Sequence, residues 1–450
     1  MKCLPPTGRT AIALFAVSIA ACSSGSSAEG RVAASPDAGA VDGAQDGPGE
    51  SSPGESGPDA PVDATVGHQD ADPCQPLVDP QWTIETVDDD PGFKARVAAA
   101  VGPDERVRLA YNVATSPDGW SDFELRVAEQ SDQGFLHEVV VPSEGFSNEF
   151  PTIAVDARGV THVVYNRYVP AEEQIDVFLV SGSLDTGFSA PVNLTNTLDA
   201  DENGSVLASG PDGTLHVAYM TRVAIPDQPG KYTYATGYVA HDDGGPKDAL
   251  MLATDTLPFT GVPEQSLTVA PDGTVHVVYL KPGLDPSHGV VYHRARGPQG
   301  WTQELRLTSD QDNATGVSVF ASSTNALHLT YGKGKVDITL THRSFDLTTL
   351  GPEQALTSST QDRPYYLGLK GADTGAVHVA FWRLVGSNGD IFFASGENDV
   401  FEPEEVVTQT PSEDEQFTSL ALGRCGEAYV AFLENLSTAP DGRVLLATRR

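Results

Sequence analysis

Three sets of side chains in this 450-residue sequence could do chemistry. Acids recur at the starts and ends of successive segments: Asp88, Asp90, Glu149, Asp201, Glu202, Asp312, Asp362, Glu413, Asp414 and Glu415. Carboxylates gathered at one mouth would hold a divalent cation such as calcium or a basic partner, and mutual repulsion would raise some of their pKa values. Scattered on loops, they would do no more than solvate the surface. Arginines are the second set, at Arg96, Arg167, Arg222, Arg363 and Arg383. A guanidinium clamps a carboxylate or phosphate through paired hydrogen bonds, provided several converge. The third set is His162, His216, His276, His328 and His378, which share one position of a short motif. Residues that repeat by fold symmetry stand one per repeat and apart. That predicts packing and hydrogen bonding between neighbouring repeats rather than a shared metal.

Charge narrows the partners. Against 27 Lys+Arg stand 62 Asp+Glu, a net charge of −35, which disfavours nucleic acid and anionic lipid head groups. The cysteines are Cys3, Cys22, Cys74 and Cys425, with no spacing suited to zinc.

Lys2 and Arg9 precede the apolar run Thr10 to Ala21, which is too short to span a bilayer. The run ends in Ile19-Ala20-Ala21-Cys22, which resembles the bacterial lipobox. The resemblance implies residues 1–21 as a signal peptide, acyl chains on Cys22, and membrane anchoring through them. Ser23 in place of Asp implies the outer membrane. Residues 22–73 are then a tether of Ser, Gly, Ala, Pro and Asp without an aromatic residue. Such a stretch buries too little apolar surface to offset its backbone entropy and is expected to be disordered.

From residue 74 onward the chain repeats. PDERVRLAY (103–111), ARGVTHVVY (157–165), PDGTLHVAY (211–219), PDGTVHVVY (271–279), STNALHLTY (323–331), DTGAVHVAF (373–381) and RCGEAYVAF (424–432) recur with a period of about 50 residues. Helix-period segments are absent, so each repeat reads as four antiparallel strands, A to D. In the fourth these are Ser266–Ala270, Val275–Tyr279, Val290–Arg294 and Trp301–Leu307. Gly159, Gly213, Gly273, Gly375, Gly426 and Asn325 mark the A–B turns, where positive φ is needed. Glu105 breaks the pattern and predicts a different first turn. Strand D carries an aromatic residue with Glu or Pro three residues on: Phe135/Glu138, Phe188/Pro191, Trp301/Glu304 and Phe401/Glu404.

The last repeat supplies Thr418–Leu422, Ala428–Phe432 and Val444–Thr448 and then lacks a fourth strand, whereas residues 82–87 form an unassigned strand before the first. Placing that strand outside the last repeat leaves no exposed edge. The sequence thus predicts an all-β, seven-bladed β-propeller of four-stranded antiparallel blades. Cys74 and Cys425 fall on one side of the last blade. In an oxidising compartment they would form a disulfide that locks the ring; the alternative is two unpaired thiols.

Residues 82–450 resemble the degenerate BNR or sialidase-like propeller repeats. Fragments of the aspartic box remain at Ser183-Leu184-Asp185-Thr186-Gly187, Asp132-Gln133-Gly134-Phe135 and Gly300-Trp301. A sialidase would imply an arginine clamp from Arg96, Arg167, Arg222, Arg363 and Arg383 with Tyr365 or Tyr366 as nucleophile. The family's Arg-Ile-Pro opening is missing, since Val97 and Ala98 follow Arg96. The expectation is therefore a monomeric, lipid-anchored binding propeller of the cell envelope, recognising a protein or glycan through its loop faces and needing no cofactor. Asp88, Asp90, Glu149, Asp201, Asp312, Asp362, Glu413 and Asp414 would line that face with Arg167, Arg222 and Arg383. The alternative is a sialidase-like glycoside hydrolase at the channel mouth.

Overall fold

The computed structural model divides the chain into Met1–Ala71 and Asp72–Arg450. It describes residues 80–450 apart from 117–121, 170–173, 198–199, 226–231, 255–263, 286, 336, 358–363, 372–374, 386–387, 398, 411–413 and 436–441. The export segment, the tether, Cys22, Cys74, Asp362, Arg363 and Glu413 lie outside the described residues. All described secondary structure is β, in antiparallel meanders whose strands pair in chain order.

The first meander runs Lys94–Val101, Val107–Ala114, Phe123–Ser131 and Gly134–Val141. Its second strand is buried at every residue, because alternating strand faces both meet apolar neighbours. Equivalent second strands are Thr161–Val169, Leu215–Ala224, Val275–Pro282, Leu327–Lys333, Ala376–Val385 and Ala428–Asn435. Each carries the repeated motif, and its closing aromatic residue (Tyr111, Tyr165, Tyr219, Tyr279, Tyr331, Phe381, Phe432) is at most 2% exposed.

First strands of neighbouring meanders pack on one another in chain order. Lys94–Val101 touches Asn148–Val155, which touches Asp201–Ser209, and so on through Gln265–Val269, Ala314–Ala321, Pro364–Gly371 and Asp414–Leu422. That last strand touches Lys94–Val101 again. The strand Trp82–Asp88 pairs with Gly442–Arg449, from Trp82 opposite Arg449 to Asp88 opposite Val444. Trp82 donates its indole N–H to Glu405 at 3.1 Å and packs edge-on against Phe393 at 5.2 Å. Arg449 reaches the same Glu405 at 2.7 Å.

The A–B turns share one geometry. Gly159, Gly213, Gly273, Gly375 and Gly426 have φ between 81° and 88°, and Asn325 has 63°. Glu105 adopts 61° and closes its turn with the same pair of backbone hydrogen bonds as Gly159. The different first turn expected from sequence is therefore corrected: the pairing imposes left-handed backbone there whatever the side chain.

Strand D differs from expectation. In three meanders it is broken into short pieces, Gly187–Phe188 and Val192–Asn193, Gly300–Trp301 and Leu305–Arg306, Val400–Phe401 and Glu405–Val406. At two of these breaks a Glu turns inward. Glu304 accepts from the Tyr279 hydroxyl at 2.6 Å and pairs with Lys281 at 3.1 Å, while Glu404 takes two bonds from Arg383 at 2.9 Å. The aromatic-to-Glu spacing thus marks an anchored break at Trp301/Glu304 and Phe401/Glu404, whereas Phe135 and Glu138 lie in the continuous strand Gly134–Val141.

Removing the Trp82 ring should loosen the last meander most. Trp82→Ala should cost about 2–3 kcal/mol in chemical denaturation, through lost packing and an unpaired Glu405. An unchanged midpoint and slope would mean that this strand carries no stability.

Candidate functional site

The acidic candidates are held locally. Asp88 is fully buried and pairs with Arg126 at 3.1 Å and Lys94 at 3.9 Å, and Arg126 also meets Asp90 at 2.8 Å. Asp201 binds Arg222, with its second contact at 3.2 Å. Asp312 accepts from Lys333 at 2.9 Å, and Asp414 accepts from the Gly389 amide at 2.8 Å. The arginines are held separately as well. Arg167 donates to Asn148 at 2.8 Å, Arg222 serves Asp201, and Arg383 serves Glu404. Each sits near the end of its own second strand, in a different meander. The structure does not bring Arg167, Arg222 and Arg383 together.

A different arginine does gather groups from several meanders. Arg96 lies 4.9 Å from the centre of the Phe150 ring and 4.2 Å from that of Phe417. These three residues come from the first strands Lys94–Val101, Asn148–Val155 and Asp414–Leu422. Every one of those strands has a bulge here: the register slips between Lys94 and Val97, between Glu149 and Thr152, and between Gln416 and Ser419. A bulge inserts one residue and re-aims its side chain.

Backbone geometry at this position is unusual. Phe150 has φ 53° and Phe417 has φ 58°. The matching bulges of Asp201–Ser209 and Ala314–Ala321 hold Gly204 at 57° and Gly316 at 58°. Glycine meets that demand freely, whereas a bulky aromatic residue does so at a cost of about 1–3 kcal/mol. Two meanders carry that strain, and both direct a phenyl ring to Arg96.

Two carboxyls complete the site. Glu149, beside Phe150, has its pKa raised by burial, which the Ser147 hydroxyl and Arg96 only partly offset. Glu264, just before Gln265–Val269, is pushed up to about 7 by burial, offset by the Val317 backbone and Arg96. Arg96 therefore acts electrostatically on carboxyls from two further positions. A cation flanked by aromatic faces and by carboxyls that can hold protons offers stacking, donors and acceptors together. That combination suits a polyhydroxylated ring or a short polar chain. Arg96 and Glu149 were visible as separate candidates in the sequence. Glu264 was not, because its repeat position carries unlike residues in the other meanders. Tyr366 occupies the same register position in Pro364–Gly371.

Two further carboxyls on first strands are buried. Glu202 and Glu415 occupy the same place in their strands and each accepts from a threonine hydroxyl five residues earlier, Thr197 and Thr410. Burial raises both pKa values, with Asp176 or Asp390 adding to the shift, and Glu415 reaches about 7.

The repeated histidines are 5–9% exposed. Their partners lie mainly on the third strand of their own meander rather than between meanders, as the sequence had suggested. His162 meets Ser181 at 2.8 Å, and His216 meets the Tyr238 hydroxyl at 2.6 Å. His276 meets His293 at 3.1 Å, and His328 meets His342 at 3.2 Å. His378 stacks on Phe393 at 5.4 Å. Desolvation lowers the pKa of each. The second histidines were missed, although the pairs His293-Arg294 and His342-Arg343 repeat in sequence. Both arginines brace carbonyls of the preceding meander, Leu252 and Leu307, at 3.0 Å.

A separate depression lies at the A–B turns, lined by Asp212, Lys247, Asp248, Asp272 and Arg296. Arg296 pairs there with Asp248.

No protein-family model matches this chain, and no curated protein does. Similarity appears among solved structures. An ulvan lyase from a family of polysaccharide lyases aligns at TM-score 0.55 and 10% identity, covering 80% of this chain and 95% of its own. A second structure, of that lyase bound to GlcA(1-4)Rha3S, aligns at TM-score 0.56 and 9% identity with the same coverage. At these identities the likeness shows the fold alone: all-β, of propeller type, with antiparallel four-stranded sheets.

The titrations have opposite signs and different windows. His216, His276, His342 and His378 at about 4, and His293 at about 3, are protonated more readily unfolded, near 6.5. Their contribution is complete above pH 6.5 and is lost as pH falls toward 4. Glu264 and Glu415 at about 7, with Glu202 also raised, hold protons in the folded state that the unfolded chain releases near 4.5. Their contribution is present at low pH and is lost as pH rises through 7. Stability measured by denaturant midpoint should therefore peak near pH 6.5. The double variant Glu202→Gln, Glu415→Gln should flatten the decline above the peak; a decline of unchanged slope would refute this assignment.

Proposed function

We propose that this chain is a lipid-anchored propeller of the cell envelope that binds a glycan at the axial site around Arg96. In this reading the meanders are seven blades, closed into a ring by Trp82–Asp88 pairing on the last. Residues 22–73 then serve as the tether and residues 74–450 as the binding domain. The observation that carries the binding site is the pair of phenylalanines held at positive φ where the fold otherwise uses glycine. Strain of that kind persists where surrounding structure enforces it, and it clusters at ligand sites. The lyase structures lend a precedent for saccharide on this type of fold and no more.

A glycan-processing enzyme is the second reading, favoured by one observation. Glu149 and Glu264 have raised pKa values within the electrostatic reach of one arginine, and proton transfer to or from a sugar needs such groups. The two readings share a site and differ in outcome. Detergent-solubilised full chain should retain a glycan on an array, and Phe150→Ala or Phe417→Ala should weaken retention about tenfold by removing a stacking face. If Glu264→Gln abolishes release of sugar products while binding remains, the protein is the enzyme. Binding unaffected by both phenylalanine variants would move the site to the depression at the A–B turns.

Anchoring and closure belong to the same proposal. Acylation at Cys22 would hold the chain at the outer membrane, and a Cys74–Cys425 disulfide would fasten the first described strand to the last A–B turn. Mass spectrometry of unreduced peptides should find acyl chains on Cys22 and Cys74 joined to Cys425. Membrane association retained by Cys22→Ser would exclude the lipid anchor, and free thiols at Cys74 and Cys425 would exclude the staple.

A further inference from the structure

We propose that His328, His342 and Asp399 form a binding site for a divalent transition metal of the zinc class. His328 and His342 stand on neighbouring strands, Leu327–Lys333 and Thr339–Phe345. Asp399 arrives from the following meander, in the turn before Val400–Phe401. One donor atom from each lies within 4.8 Å of the others. His328 Nδ1 is 3.2 Å from His342 Nε2 and 3.9 Å from Asp399 Oδ1.

The imidazole pair has the spacing of a four-coordinate ion, and the carboxylate oxygen stands somewhat farther out. Metal–ligand bonds of about 2.0–2.1 Å in a tetrahedron place donors about 3.3–3.4 Å apart. Two imidazole nitrogens and one carboxylate oxygen also make the donor set of zinc sites that keep one position open. Asp399 is the open side, with its side chain 35% exposed, while His342 is 1% exposed.

Hydrogen bonding alone leaves this cluster unsatisfied. Asp399 Oδ1 is buried and has no donor, and His342 Nδ1 is buried without a partner. The contact between the two imidazoles uses a proton from one of them, which leaves the buried Asp399 Oδ1 beside them without a donor. A cation bound between the three groups would satisfy that oxygen, whereas the empty cluster leaves it unpaired. The carboxylate is also braced in the way a ligand needs. Ser344 donates to Asp399 Oδ2 at 2.7 Å, which leaves Oδ1 for the ion. Asp399 has φ 62°, so the turn holds it in a left-handed conformation that points to an enforced position.

The neighbouring meander supplies an internal comparison. His276 and His293 repeat the imidazole pair at 3.1 Å, and in both pairs the second imidazole meets a phenyl ring of the next meander, His293 with Phe345 at 5.2 Å and His342 with Phe401 at 4.8 Å. No carboxylate joins the pair of His276 and His293 among the described residues. The other such cluster among the described residues, Asp88, Asp90 and His137, already contains Arg126 as its cation.

Cobalt(II) titration of the untagged full chain in detergent, after chelator treatment, tests the site. The expected result is one equivalent bound, with the strong visible bands of four-coordinate cobalt, displaced by zinc. Asp399→Asn should weaken binding by about 100-fold. Because Asp399 lies in a part-exposed turn, that variant should keep the thermal midpoint of the apo chain. His342→Asn should abolish the bands, and His293→Asn should leave them unchanged. Absence of four-coordinate bands in the wild-type chain would overturn the proposal. So would bands that survive both Asp399→Asn and His342→Asn, or that depend on His293.

Discussion

Burial on both faces of the second strands is the constraint that the rest of the structure depends on. All eight residues of Val107–Ala114 are buried, as are Val163, Val164 and Tyr165 or Val277, Val278 and Tyr279 in later meanders. A four-stranded sheet with two apolar faces cannot be stable alone, because one face would remain in water. Each meander must be covered on both sides by its neighbours, as the mixed core clusters show: Tyr111 packs with Tyr429 and Leu433, and Tyr331 packs with Leu280 and Val291. The first strands Asp414–Leu422 and Lys94–Val101 pack on one another as the other neighbouring first strands do.

That arrangement explains where chemistry can occur. Polar groups on second and third strands are largely spent on bracing, either inside the meander, as with Arg383 and Glu404 or Lys281 and Glu304, or onto its neighbour, as with Arg294 and the Leu252 carbonyl. At the bulges, first strands bring together groups from several meanders. A bulge there turns a residue that would otherwise pair into one that reaches inward, so Arg96, Phe150 and Phe417 meet although their positions are far apart in the chain. Enclosure also removes water, which raises the pKa values of Glu149 and Glu264 despite the nearby guanidinium.

The histidine pairs show a second consequence of repetition. A repeated position conserves its backbone environment but not its neighbours, so one residue type does different work in each meander. His162 bonds a serine, His216 a tyrosine, and His378 stacks on a phenyl ring. Beside His328 the third strand offers a second imidazole and the next turn a carboxylate. Symmetry keeps the repeated histidines apart from one another, as the sequence implied, yet it places no limit on what each meets locally.

Much of this was legible in the sequence because it is local. The period of about 50 residues, the Gly and Asn turns and the alternation of apolar residues determined the strands, their order and their meander pairing. The unassigned strand at 82–87 determined its own place, since an exposed edge is costly wherever the chain ends. What tertiary structure alone decided is which side chains meet. Asp88, Asp201 and Asp312 read as loop carboxylates, but Arg126, Arg222 and Lys333 hold them. Glu105 read as an exception, but strand pairing forced it to the glycine conformation. Glu264 and Asp399 carried no signal, because their roles depend on groups brought close by the stacking of sheets. Pattern is written in spacing along the chain, whereas a site depends on distances of a few ångströms between residues whose separation in sequence says nothing about them.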